Sequence, residues 1–343
     1  MLQLRTLLRR IGFQSDIWFE HLDPRLAGEA RPYTECDPAA DPQRLILYHA
    51  STHTDMNAWL VAAASAGQRV VVDYHNMTPA EYFAPWQPRA AISMQDGRRQ
   101  LAELAPHVVA AVADSDYNAA ELAHIGMAGA ATCPILLDLD EYHRPPDRRL
   151  EAGLAGHPRW LFVGRVAPNK CQHDVIAAFA AYRKLYAPES RLAIVGGITS
   201  ARYQEALDDL VEDLGVADSV EFPESAPFPE LLAHYGRADV FVCLSEHEGF
   251  CVPVIEAMEL GVPVVAYAAA AVPETVAGAG VLLADKDPLA VAVAVHDLLS
   301  DPDRRAALIG AGRARAGDFA LPATAARWEA ELRRIWSVAG ETP

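Results

Sequence analysis

Residues 245–267 read Ser245-Glu246-His247-Glu248-Gly249-Phe250-Cys251-Val252-Pro253-Val254-Ile255-Glu256-Ala257-Met258-Glu259-Leu260-Gly261-Val262-Pro263-Val264-Val265-Ala266-Tyr267. The apolar run 240–244 ahead of them predicts a buried parallel strand. A turn follows, and Pro253 stands where the first turn of a helix tolerates a residue without an N–H. Ile255 and Met258 give that helix a buried side, Gly261 ends it, and Val262 to Tyr267 resumes a strand.

A helix start of this kind attracts anions, because unpaired N–H groups and the helix dipole both favour negative charge there. Glu248 in the loop and Glu256 one turn into the helix cannot grip a phosphate, but each can accept hydrogen bonds from sugar hydroxyls beside one. The chemistry suggested is a sugar phosphate held by amides and carboxylates together. The plainer alternative is a capped surface helix carrying two solvated glutamates.

The whole stretch is more specific than its two glutamates. It resembles the retaining GT-B glycosyltransferases of family 4 (glycosyl transferases group 1), whose signature runs S-x-x-E-G-F-x-x-P-x-x-E-A-M-x-x-G-x-P-V-V-A. Ser245, Glu248, Gly249, Phe250, Pro253, Glu256, Ala257, Met258, Gly261, Pro263, Val264, Val265 and Ala266 all fall in register with it. The resemblance implies an α/β fold of two doubly wound, Rossmann-like domains facing across a cleft. It also implies a nucleotide-diphosphate sugar as donor substrate, with a UDP-, GDP- or similar base, and no separate cofactor.

At 343 residues the chain is long enough for two such domains, each with its own core. No uninterrupted apolar run approaches the roughly eighteen residues of a membrane span. Nothing at the start reads as a secretory signal. Cys36, Cys133, Cys171, Cys243 and Cys251 are scattered without paired spacing, which argues against a disulfide framework or a structural zinc. A cytoplasmic protein with free thiols is the expectation. The net charge of −17 excludes a basic footprint for nucleic acid. Arg clusters at 5, 9 and 10 and at 144, 148 and 149 leave open a peripheral contact with the inner face of a membrane, though such clusters are more often only solvated faces. The oligomeric state is not legible.

The first domain is expected over 1–145. Helical spacing begins at Leu4, with strands predicted at Asp16–Phe19, Leu45–Tyr48, Val70–Val72, Val108–Val112 and Pro134–Leu137. Helices are predicted at Met56–Ala66, Arg89–Leu104 and Asn118–His124, the last capped by Asp114 or Ser115. His143–Arg149 reads as a linker. A second domain over 150–320 repeats the alternation, with strands at Trp160–Val163, Leu192–Val195, Val220–Phe222, Val240–Leu244, Val264–Tyr267 and Val281–Leu283. Alternating strands and helices imply parallel sheets with ligands at the strands' C-terminal ends. A last helix, within 321–338, is expected to cross back to the first domain.

The resemblance places a strand and a Gly-rich loop ahead of the helix at Leu2, and this sequence shows neither. Two expectations follow: the chain as given begins at an internal methionine, or another segment takes the central place in the sheet. Without either, apolar strand edges stay unpaired. The family's loop contacts to substrate, and activity with them, depend on the outcome.

Phe162-Val163-Gly164-Arg165-Val166-Ala167-Pro168-Asn169-Lys170 is a strand running into a loop and a helix. Arg165 and Lys170 can therefore project cations at the sheet's C-terminal edge, where they would neutralise charge on a leaving diphosphate. They match the family's F-V-G-R-x-x-x-x-K, whose Arg and Lys hold the donor diphosphate. In the first domain Asp73-Tyr74-His75-Asn76-Met77-Thr78-Pro79 ends a buried strand, and His75 matches a family histidine that reaches the donor sugar. Ser115 and Asp138 match family positions that fix loops. His49, His53 and Asp55 are the best metal candidate by spacing, yet they straddle a strand end and a loop, so no metal is assigned. The loop 221–228 lies where the family holds the base, and it lacks the usual glycine.

The resulting expectation is a retaining, metal-independent glycosyltransferase acting on a glycan, lipid-linked or small-molecule acceptor. His75, Arg165, Lys170 and Glu248 carry the chemistry. Gly249, Phe250, Cys251, Val252 and Glu256 bind the donor. The rival is a non-catalytic nucleotide-sugar binder or partner subunit, which the absent N-terminal loop supports and the intact His75 and Glu248 oppose. A dinucleotide oxidoreductase finds no G-x-G-x-x-G after a strand.

Overall fold

A computed structural model describes residues 1–37 and 44–338. In chain order the elements are α1 (Leu2–Arg10), β1 (Ile17–Phe19), β2 (Ala30–Pro32), β3 (Leu45–Ala50), α2 (Asn57–Ser65), β4 (Arg69–Tyr74), α3 (Ala80–Phe83), α4 (Pro88–Leu104), β5 (Ala110–Ala113), α5 (Asp116–His124) and β6 (Ala131–Thr132). They continue with α6 (Arg148–Gly153), β7 (Arg159–Val163), α7 (Gln172–Leu185), β8 (Arg191–Val195), α8 (Ala201–Asp213), β9 (Val220–Glu221), α9 (Phe228–Arg237) and β10 (Val240–Cys243). The last are α10 (Val252–Glu259), β11 (Val264–Tyr267), α11 (Val272–Val276), β12 (Val281–Leu283), α12 (Pro288–Ser300), α13 (Pro302–Gly317) and α14 (Leu321–Val338). No helix among the described residues is long and apolar enough to cross a membrane.

The chain divides into two compact units. The first holds Met1–Ala80, Arg89–Leu137 and the segment beginning at Phe319; the second holds Glu81–Pro88 and Asp138–Asp318. In the first, β3, β4, β5 and β6 form a parallel sheet in that order, and β1 pairs only with β2. Among the described residues no strand joins the two sheets, so no substitute segment takes the central place there. Alternation sends the side chains of β4 to opposite faces. Val70, Val72 and Tyr74 pack with Leu60, Leu101, Leu104 and Leu122 from α2, α4 and α5. Val71 joins Leu4 and Leu7 of α1 and Trp328, Leu332 and Ile335 of α14 on the other face. The final helix thus belongs to the first unit's core.

One predicted strand is corrected. Residues 134–137 form no strand, because Pro134 brings no N–H to the ladder. Its carbonyl instead accepts Trp328 Nε1 at 2.9 Å, and Leu137 makes an isolated bridge to Ala320.

The second unit is a six-stranded, all-parallel sheet in the order β12-β11-β10-β7-β8-β9. Trp160, Phe162, Phe179, Ile194, Val242 and Val295 are among its buried core. From β7 the chain winds outward through β8 and β9, then returns to the opposite side of β7 as β10. The order reverses between these two central strands, the position beyond whose C-terminal ends such sheets bind their ligands.

Candidate functional site

The loops that follow β7 and β10 meet at this reversal. After β7, residues 168–170 make a 3-10 turn, and Cys171 enters α7 in the left-handed region at φ 51°. After β10 the loop 244–251 ends on Cys251, left-handed at φ 67°, and α10 then opens with Pro253 in its first turn and no side-chain cap. A non-glycine residue held there costs about 1–2 kcal/mol; such strain gathers where surroundings over-determine the backbone. The surroundings are visible. Glu246 N donates to Asn169 O at 3.0 Å, Asn169 Nδ2 to His247 O at 3.0 Å, and Thr275 Oγ1 to Phe250 O at 2.6 Å.

Lys170 and Glu248 are brought together. Lys170 Nζ lies 2.5 Å from Glu248 Oε2, with the carboxylate side chain only 8% exposed. Burial alone would lower the Lys170 pKa, but the charge and hydrogen bond of Glu248, with the nearby Cys251 and Cys243, together outweigh it and raise it. Arg165, at the end of β7, is exposed, and no carboxylate pairs with it among the described residues. Gly249 and Val252 are partly exposed at the same edge, while Phe250 and Cys251 are buried.

Glu256 is buried, and both its oxygens are engaged: Oε1 accepts from Tyr142 Oη at 2.6 Å and Oε2 from Tyr235 Oη at 2.7 Å. Desolvation raises its pKa, and the two phenols counter part of that shift. A carboxylate offers about four acceptor sites, so two remain for further donors. Lys286 adds a third cation, 2.6 Å from both Glu246 Oε1 and Asp174 Oδ2.

In the first unit His75 follows β4, with its N–H on Ala50 O at 2.9 Å. Its Nε2 is 3.1 Å from Asp73 Oδ2, and its Nδ1 is 3.5 Å from Asp114 Oδ2. Burial alone would lower the His75 pKa; hydrogen bonds and charges from Asp114 and Asp73 outweigh it and push it up to about 10. Burial would raise Asp73, yet hydrogen bonds from His49 and His75 hold it well below the usual carboxylate range. The sequence's metal candidates separate: His53 pairs with Asp55 at 3.4 Å, whereas His49 turns to Asp73 at 2.9 Å. Ser115 caps α5 by accepting from Asn118 N, and Asp138 makes no side-chain cap of the 3-10 turn it precedes.

The sequence profile described as glycosyl transferases group 1 matches residues 151–315, the span that builds the second unit's sheet. A D-inositol 3-phosphate glycosyltransferase of Thermomonospora curvata is 32% identical over 348 residues, covering 93% of this chain and 78% of the relative. The chain belongs to the glycosyl transferases group 1 family. A GDP-mannose-dependent alpha-(1-6)-phosphatidylinositol monomannoside mannosyltransferase of Mycolicibacterium smegmatis is 38% identical over 190 residues; the match spans 52% of this chain and about half (49%) of that relative. Among solved structures, Anabaena HepE in complex with UDP and glucose superposes with a TM-score of 0.76 at 19% identity, covering 96% of this chain and 95% of that one. Sucrose-phosphate synthase from Thermosynechococcus elongatus gives 0.67 at 22%, covering 86% and 74%. The fold of this group 1 chain is GT-B.

Several partners in this glycosyl transferases group 1 chain escape sequence reading. Tyr142 and Tyr235 reach Glu256 from 114 and 21 residues away, and Lys286 reaches Asp174 across 112. No local spacing announces them. His49 and Asp73 were legible as polar residues ending apolar strands, but their pairing needed the register of β3 against β4.

Proposed function

We propose that this protein is a retaining glycosyltransferase that moves a sugar from a nucleotide-diphosphate sugar to a glycan, a lipid-linked acceptor or a small molecule. The observation that carries the reading is the Lys170–Glu248 pair set beside the uncapped start of α10, where the strand order reverses. Amides from Gly249 to Val252 receive the diphosphate, and Lys170 and Arg165 take up the charge that grows on it. Glu248 has acceptor sites left for donor-sugar hydroxyls, and Glu256 for the ribose. His75 contacts the donor sugar, the role its family match implies. The bond between the anomeric carbon and the diphosphate breaks as the acceptor oxygen bonds on the same face. The acceptor's proton passes to the departing diphosphate.

Charge at the diphosphate comes from side chains and a helix end, so that departure requires no metal ion and no separate cofactor. The GDP-mannose dependence of one relative and the UDP held by a structural neighbour support a nucleotide-sugar donor without choosing the base. The intact His75 and Glu248 speak against a non-catalytic binder. Glu248 and Glu256 are not a glycosidase pair, since Glu256 is enclosed by two phenols instead of facing a scissile bond.

Arg165→Ala is the cleanest test. The side chain is exposed, so stability should stay within about 0.5 kcal/mol. Turnover, read as nucleoside diphosphate released from a panel of UDP- and GDP-sugars with acceptors, should fall about 100-fold or more. Unchanged turnover in Arg165→Ala would sink the assignment.

A further inference from the structure

Glu256 is 8% exposed in α10, and its carboxylate is gripped from two other elements. Tyr142 comes from the short 3-10 turn Leu139–His143, and Tyr235 from the last turn of α9. Tyr142 Oη donates to Oε1 at 2.6 Å, and Tyr235 Oη donates to Oε2 at 2.7 Å. Both phenols are themselves held. The Tyr142 ring stands edge-on to Phe228, with centroids 5.3 Å apart and planes at 71°. Tyr235 is 1% exposed, and its Oη also lies 3.3 Å from Pro253 O. The turn is fastened to α10 a second time. Glu256 and Glu259, three residues apart, share one face of the helix, and His143 Nε2 lies 2.7 Å from Glu259 Oε1.

One phenol on each oxygen has two consequences. Each oxygen spends one acceptor site and keeps another, and two neighbouring oxygens with one open site apiece match a pair of vicinal hydroxyls. A long side chain that would otherwise lose rotamer freedom on binding is also fixed in advance. The two donated hydrogen bonds favour its charged form against the burial that opposes it. We propose that Tyr142 and Tyr235 are positioning residues, a phenol clamp that holds Glu256 ready for the ribose diol of the donor nucleotide. The clamp rests on the ribose contact of the transferase reading and supplies what sets that contact's geometry. Ribose is held alike before and during sugar transfer, so the clamp serves affinity for the donor and not the rate of bond breaking. Lys170 and Arg165, which meet charge that grows only as the bond breaks, act on the rate instead.

Tyr142→Phe deletes one hydroxyl and keeps the ring against Phe228. Far-ultraviolet circular dichroism confirms that each variant is folded; should Tyr142→Phe fail, Tyr235→Phe takes its place. The full chain is titrated calorimetrically with UDP and with GDP, and the tighter ligand is compared with its 2′,3′-dideoxy form. Wild type should prefer the ribose form about tenfold or more. In Tyr142→Phe the preference should shrink to about threefold or less, a change that lost packing alone does not produce. In the nucleoside diphosphate release assay its donor KM should rise about tenfold at unchanged kcat. His143→Ala loosens the same turn, but its ring bonds Glu259 and not Glu256, so wild-type preference should be kept. A wild type that binds neither nucleotide, or binds both forms equally, removes the ribose contact, and the donor reading of Glu256 fails with the clamp. Full preference in folded Tyr142→Phe, or equal loss in His143→Ala, overturns the clamp alone.

Discussion

Replacing Lys170 by methionine and Glu248 by glutamine, singly and together, separates what this pair does for the fold from what it does for the reaction. The two side chains are 17% and 8% exposed and 2.5 Å apart. A charge so enclosed and deprived of its partner costs about 3–5 kcal/mol. Lys170→Met should therefore unfold at markedly lower urea concentration than wild type. The double variant buries neither charge and should regain most of that loss, a coupling of about 3 kcal/mol. Turnover should follow another course. Removing one preorganised charge from the leaving group raises the barrier by about 2.7–4 kcal/mol, about 10²–10³ in rate, and the double variant restores nothing there. Urea unfolding and nucleoside diphosphate release, measured on the same four proteins, complete the cycle. If the double variant recovers turnover along with stability, Lys170 is a structural cation and the proposed role in diphosphate departure fails.

Two further perturbations test the surroundings. Desolvation raises the Glu256 pKa, so the folded chain holds that proton more tightly than the unfolded one. Stability is then lost as pH rises from the unfolded value, about 4.3, through the higher folded one. Glu256→Gln should remove this slope, so that urea midpoints measured from pH 4 to 8 gain on wild type as pH rises; losing an acceptor for Tyr142 or Tyr235 shifts the whole curve, not its slope. Parallel curves would mean that Glu256 titrates alike in both states. In α4, a Cβ on Gly97 would lie 2.7 Å from His53 N and 2.9 Å from Thr52 C, both backbone atoms that cannot swing aside. Gly97→Ala should cost about 1–3 kcal/mol by the same urea measurement, and a neutral result would show that the 52–53 loop yields.

By itself the sequence determined the parts that local chemistry governs. Apolar runs of four or five residues marked the four inner strands of the second unit's sheet, and Pro253 and Gly261 bounded the helix at its centre. A polar cap ahead of α5 was readable as Asp114 or Ser115, of which the structure uses Ser115, and Lys170 and Glu248 follow the two central strands at whose reversal they meet. These were readable because strand alternation, helix caps and turns are set by residues a few positions apart. Tertiary structure alone decided that Glu256 is enclosed by Tyr142 and Tyr235, that residues 134–137 turn to Trp328 instead of extending a strand, and that His49 leaves His53 for Asp73 and His75. Each of these pairings joins side chains distant along the chain. Their meeting depends on strand register and on which element covers which face, and only the packed fold fixes either.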